Sequence, residues 1–435
     1  MNWFNISLQL NKFPINRAQK LLREIQDIPE TEYQSYLEAQ RKSVVDYHLA
    51  NNPNYKKFFG SPSFLSWEEV PVMQKSDLQH PLKERLSDSF NKSNTYIGKT
   101  SGSSGHPFIF AKDRLCHALA WAEFIDRYQW VNIDLNKSLQ ARFYGIPLDF
   151  FGNLQERFKD RMSLRRRFNI FDLSEQKMEN FLNRFKRSKF DYINGYTSAI
   201  VLFAKYLHRK NIVLKTICPS LKICIATSEK LFENDKKRIE ESFGVPVINE
   251  YGASEAGLIA FENPEGEWVV NSEGLYIEIL DDEDKVLPYG EEGRVVITSL
   301  YNKAHPMIRY DIGDIGSLSK KSSFKKPILQ TLTGRTNDVA VLANGKVVPG
   351  LTFYYVTKSI IEDTGSIKEF VIFQTELDRF KIEYVSEETF TAVQIQKILG
   401  AIEIFVGKNL KVDFEQKSFL KRNKSGKLQQ FSSLV

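Results

Sequence analysis

The chain is poor in cysteine: Cys116, Cys218 and Cys224 are its only three among 435 residues. An odd count with no close-spaced pair argues against a disulfide framework and for buried thiols in a reducing compartment. Cys218 and Cys224 lack a neighbouring His or Cys at ligand spacing, so no zinc is expected. Charge of one sign is also lacking. Sixty basic against 54 acidic residues leave a net charge of +6, too mild to argue for a nucleic-acid partner. No apolar run approaches transmembrane length. The first residues, Met1 to Ile6, show no charged start followed by an apolar stretch, so a signal peptide is not expected and a cytoplasmic location is. There is no internal repeat and no low-complexity linker. The Gly-x-x-x-x-Gly-Lys-Ser/Thr loop of kinase-like NTPases is missing as well, because His106 follows Gly105.

What is present begins with Thr100-Ser101-Gly102-Ser103-Ser104-Gly105. Such a run can turn several backbone N–H groups and hydroxyls toward one anion. Gly102 and Gly105 allow close approach, and Pro107 stiffens the exit. Taken alone, a phosphate cradle and a surface turn are even readings.

Around this loop the patterning alternates. Asn16 to Leu49 reads as helices broken near Pro29, with Leu21, Leu22, Ile25 and Ile28 at helical spacing. A short helix starts near Ser76 as N-cap, and Arg114 to Val131 is amphipathic. Arg165-Arg166-Arg167 reads as part of a solvated helix face or a subunit contact, as in a homodimer. From Leu173 helices alternate with strands at Tyr192-Ile193, Leu221–Ala226 and Val245–Ile248. That alternation predicts a parallel sheet covered by helices, with ligands beyond the strands' carboxyl ends. Two loops sit there, around Ser228-Glu229 and over Asn249–Glu255. After Asn263 the pattern turns to strands, Leu275–Leu280 and Gly293–Ser299, which predict a small β-subdomain. A second α/β unit follows Val339.

Five weak motifs occur in one order: the Ser/Gly loop, Tyr251-Gly252-Ala253-Ser254-Glu255, Gly313-Asp314, Gly334-Arg335 and Ser425-Gly426-Lys427. In this order they resemble the adenylate-forming superfamily of acyl-CoA synthetases. The chain is most similar to its phenylacetate–CoA ligase branch, whose wider circle includes capsular-polysaccharide biosynthesis proteins; Arg309–Asp314 carries that likeness. The resemblance implies an α/β multi-domain fold. A large N-terminal adenylation domain, residues 1–335, contains the β-subdomain, and a mobile lid spans 336–435. It implies that ATP and a carboxylic acid form an acyl-adenylate, which then passes to coenzyme A. Thr100 to Gly105 would hold the phosphates. Ser228, Glu229, Glu250, Tyr251, Gly252 and Ser254 would line the nucleotide. Glu255 would hold Mg²⁺, Asp314 the ribose hydroxyls, and Arg335 ribose or phosphate. Lys427 would stand between carboxylate and α-phosphate as charge redistributes. Phe143, Tyr144, Gly145 and Tyr196 would form the acyl pocket, though aromatic residues are equally ordinary core. Asn337, beside Asp338, would be the pivot of the lid. The family loop often has Lys where His106 stands. Two rivals stay open: transfer to an amine in surface-polysaccharide biosynthesis, and a nucleotide-binding protein with a decayed active site.

Overall fold

The computed structural model describes residues 3–61, 63–100, 108–144, 160–333, 339–349, 352–353, 356, 367–386, 388–420 and 431–435. Near the N-terminus, helices Ile15–Gln26 and Glu30–Asn51 flank Pro29, as the spacing predicts. Ile15, Ala18, Leu22 and Ile25 form the buried stripe of the first. The expected N-cap at Ser76 is corrected. A 3₁₀ turn spans Lys75–Leu78, and Gln74 and Asp77 cap it reciprocally.

Strands β1 (Thr95–Lys99) and β2 (Ile109–Asp113) form an antiparallel hairpin around the Ser/Gly loop. Helix Arg114–Gln129 follows at once. Asp113 caps it, accepting from the Leu115 and Cys116 N–H groups at 2.9 Å each. Its second carboxylate oxygen accepts the Lys303 N–H at 2.9 Å, which ties the helix start to a distant loop.

The central layer is one sheet. Its strands are β3 (Gln140–Phe143), β4 (Arg165–Phe168), β5 (Tyr192–Tyr196), β6 (Ile223–Thr227), β7 (Val247–Ala253), β8 (Gly257–Glu262), β9 (Trp268–Val270), β10 (Leu275–Leu280), β11 (Gly293–Ser299), β12 (Tyr310–Leu318) and β13 (Ile328–Thr333). Their order is β10-β11-β12-β13-β9-β8-β7-β6-β5-β3-β4. From β4 to β7 all pairings are parallel; from β7 onward they are antiparallel. The strands of the expected β-subdomain continue the α/β sheet. The arginine run is corrected too. Arg165 to Arg167 lie in β4, an edge strand, where Asp160 pairs with Arg165 at 2.5 Å and Arg167 at 2.7 Å. A strand forms because Phe168 must enter the aromatic core against Phe143, at 4.8 Å between ring centroids.

One face of the parallel half buries Phe143, Phe168, Phe181, Phe185 and Phe203 under helices Glu175–Arg187 and Thr197–Arg209. The other face buries Tyr192, Ile223, Ile225 and Ile248 against the end of helix Arg114–Gln129. Beyond β13 come the hairpin β14 (Val339–Val341) and β15 (Val347–Pro349), then β16 (Ile367–Glu376), β17 (Arg379–Ser386), helix Ala392–Phe405, β18 (Lys411–Gln416) and β19 (Phe431–Ser433). The last four strands make a second sheet ordered β18-β17-β16-β19. This unit meets the first through Phe171 on Phe405, 5.2 Å between centroids, and the Leu173 N–H on the Val347 carbonyl at 3.3 Å.

Replacing Asp113 by Ala removes a cap and a tertiary hydrogen bond together. It should cost about 2 kcal/mol in urea unfolding, at the upper end for a single cap. A loss below a few tenths of a kcal/mol would mean that water replaces these contacts.

Candidate nucleotide site and acid pocket

The site lies where the sheet changes direction. β7 and β8 are joined by a tight turn, Ser254 to Ala256. Gly252 faces Leu258 across this hairpin, and a Cβ there would lie 2.7 Å from the Gly257 carbonyl oxygen. Gly257 itself has φ +96°, a left-handed value that favours glycine. The two glycines let the turn close, which carries Glu255 back into the protein while Gly252 and Ser254 stay exposed.

Glu255 is buried and accepts a hydrogen bond from the Tyr310 hydroxyl at 3.1 Å. Asp314, on the same strand as Tyr310, is also buried and accepts from the Tyr251 hydroxyl at 2.8 Å. Two tyrosines thus cross-link the turn to β12. The turn's carboxylate and the strand's carboxylate, far apart in sequence, come to one place. Among the described residues no three His, Cys, Asp or Glu side chains converge as a metal cluster.

Lys112 escaped the sequence reading. It is 4% exposed on β2, and its ammonium interacts electrostatically with Glu255, Glu123 and Cys116. Burial pulls its pKa down, and the carboxylates oppose that. A signal did exist: a lysine closing the apolar run Ile109-Phe110-Ala111, where only a buried strand is expected.

Thr100 closes the base of the Ser/Gly loop. Its N–H donates to the Phe108 carbonyl at 2.9 Å, and its hydroxyl accepts the Phe108 N–H at 3.2 Å. Ser101 to Gly105, His106, Gly145, Arg335, Asn337, Asp338 and Lys427 lie outside the described residues.

At the ends of the parallel strands, Tyr144 and Tyr196 come together with rings 4.5 Å apart. Phe143 is fully buried in the aromatic core, stacked on Phe168, and Tyr196 borders that same core. Glu250 is buried on the tyrosine side, accepting from the Tyr128 hydroxyl at 2.8 Å; burial raises its pKa. Ser228 adopts φ +69° at the end of β6. Next to it, Glu229 is committed to the start of helix Thr197–Arg209, where it accepts the Ser198 N–H at 2.5 Å and hydroxyl at 3.0 Å. Burial pushes its carboxyl up to about 7, against those two hydrogen bonds.

Known proteins resemble this arrangement. Protein CapK of Staphylococcus aureus is 21% identical over 410 residues, 91% of this chain and 87% of that protein. Phenylacetate-coenzyme A ligases match a shorter stretch. That of Pseudomonas putida is 28% identical over 135 residues, about 30% of each chain. The solved 2-hydroxyisobutyryl-CoA ligase, in complex with 2-HIB-AMP and CoA in the thioesterification state, superimposes with TM-score 0.60 at 18% identity. The match covers 93% of this chain and 90% of that one. No family model matches the chain. The fold is that of the adenylate-forming acyl-CoA ligases.

The Glu229 carboxyl has a folded pKa above its unfolded one, so the folded state holds a proton that the unfolded state loses first. Stability must then fall as pH rises from about 4.5 to about 7. Glu229→Gln keeps an acceptor and abolishes the titration. In urea unfolding at pH 4 and pH 8, the variant should gain on the parent by up to about 3 kcal/mol across that range. A pH-independent difference would refute the buried, protonated carboxyl.

Proposed function

We propose that this chain, with the fold of the adenylate-forming acyl-CoA ligases, activates a carboxylic acid with ATP and passes the acyl group to coenzyme A. The observation that supports this best is the pairing of Glu255 with Tyr310 and Asp314 with Tyr251. It sets two acceptor carboxylates on one side of β7, while the tyrosine pocket opens beside Glu250 on the same strand.

In the first step an oxygen of the acid attacks the α-phosphorus of ATP. The new acyl–phosphate bond forms as the bond to pyrophosphate breaks. Two anions must meet, so positive and dipolar groups have to offset them. The Ser/Gly loop, based at Thr100, holds the outer phosphates. Asp314 accepts from the ribose hydroxyls, and Tyr251 orients it. Mg²⁺ suits Glu255, because a hard cation that keeps its waters needs only one or two carboxylates and completes its shell on phosphate oxygens. When bound it neutralises charge on the phosphates. Tyr310 fixes the carboxylate that would hold it, and Lys112 supplies positive charge behind. Arg335 contacts ribose or phosphate, and Lys427 stands between the two reacting anions.

In the second step the thiol of coenzyme A attacks the acyl carbonyl and AMP leaves. Residues 336–435 act as the lid, turning about Asn337 between the steps. An amine acceptor would use the same first step; the relation to CapK keeps that second reading in view. AMP release measured with and without coenzyme A separates the two.

Glu255→Gln removes one charge at nearly constant shape. ATP–pyrophosphate exchange should fall on the order of a hundredfold with the melting temperature unchanged; an equally active variant would refute the assignment. Lys427→Ala should abolish adenylate formation and spare thioester formation from supplied acyl-adenylate, with Lys424→Ala as the silent control. Equal loss in both half-reactions would assign Lys427 to folding or binding instead.

A further inference from the structure

One guanidinium in the acid pocket has no counterpart. Register places Arg142 of β3 opposite Arg167 of β4 on one side and Asn194 of β5 on the other. Partners across a ladder share a face, so Gln140, Arg142 and Tyr144 stand on the side covered by helix Arg114–Gln129. Asn194, Tyr196 and Glu250 share it. Most polar groups there are satisfied locally. The Gln140 amide donates to Asn194 Oδ1 at 3.2 Å, and Glu250 accepts from Tyr128. Asp160 takes both Arg165 and Arg167.

Arg142 is different. Its guanidinium carbon lies 4.4 Å from the Tyr144 ring centroid, and its Nε is buried without an acceptor. It makes no hydrogen bond or ion pair among the described residues. Three arginines on two neighbouring strands thus have Asp160 between two of them, and the third lies against the pocket tyrosine. Glu250 interacts with Arg142 only at a distance. A stacked guanidinium with unused donors is a fork for a planar carboxylate. Leaving the buried Nε of this half-buried group unmatched is costly, and a bound ligand is a source of the match.

We propose that the acid activated here carries a second carboxylate and that Arg142 receives it, Tyr144 and Tyr196 flanking the spacer between the two. This rests on the reading of the site given above. It makes Arg142 a specificity-determining residue, remote from the reacting atoms. It also gives the tyrosine pocket a polar end, which a plain aryl or alkyl acid would leave unsatisfied.

The test uses matched pairs on the full chain: benzoate against terephthalate, and hexanoate against adipate. Affinity is read by calorimetry and turnover by AMP release. In the parent protein the diacid of at least one pair should bind tenfold or more tighter than its monoacid. In Arg142→Met that ratio should fall to near one with the monoacid affinity unchanged, and Arg142→Lys should keep part of it. Equal or absent binding within both pairs overturns the inference, as does an unchanged ratio in Arg142→Met. If Arg142→Met does not fold, as judged by its melting temperature, the ratio in Arg142→Lys decides. It must fall below the parent's. Diacids that bind with this preference but release no AMP would leave the inference standing and defeat the adenylation reading.

Discussion

The structure depends on one reversal of strand direction. Up to β7 every neighbour in the main sheet is parallel, and each strand returns by a crossover that covers a face of the sheet. At Gly252 to Gly257 the chain instead turns straight back as β8. A parallel sheet gathers its ligand-facing loops beyond the carboxyl ends of its strands. The antiparallel continuation brings a wall of strands to that same edge. β12 belongs to that wall, and through Tyr310 and Asp314 it reaches the turn. Without the reversal, Glu255 and Asp314 would have no common neighbourhood. The two glycines are its physical condition, since a Cβ at Gly252 would strike the Gly257 carbonyl.

The interior near this seam carries more charge than its own contacts balance. Glu255 has a tyrosine hydroxyl and the distant field of Lys112. Arg142 has an aromatic face. Buried charges are stable only when paired and hydrogen-bonded. The contrast lies close by: Arg127 is ion-paired with both Asp126 and Glu273, and Glu273 also accepts from Gln26 at 3.1 Å. That network joins three segments distant in sequence. The seam is not complete, and a protein accepts that cost where ligands supply the missing partners.

Much of this was legible in the sequence. Strands Leu275–Leu280 and Gly293–Ser299 fall where alternation predicts them, and helix Arg114–Gln129 ends within two residues of its expected end. Motif order carried the fold. What failed shares one cause: local pattern does not report tertiary neighbours. Leu275–Leu280 reads identically in a separate β-subdomain or at the end of a long sheet. Arg165 to Arg167 read as a helix face because the aromatic core that pulls Phe168 into a strand is distant in sequence. Phe143 and Tyr144 are adjacent in the chain, so both read as pocket wall. Phe143 stacks on Phe168 in the core, and Tyr144 lies against Tyr196. Arg142 left no motif, and Lys112 only its place at the end of an apolar run; burial and register mark them.

The same distinction bears on the C-terminal unit. Its own core is substantial: Phe353, Phe380 and Phe431 cluster, with Phe353 and Phe431 stacked 4.2 Å apart, and Tyr384 stacks on Phe390 at 3.8 Å. Among the described residues, the contacts that join it to the first unit include the aromatic pair Phe171 and Phe405, a backbone hydrogen bond from Leu173 to Val347, and the Lys346 ammonium near Asp172, within one apolar cluster that spans both units. Phe171 and Asp172 lie three and four residues past β4, the strand that carries Arg165 and Arg167. One short stretch of chain therefore joins the edge of the main sheet to the C-terminal unit.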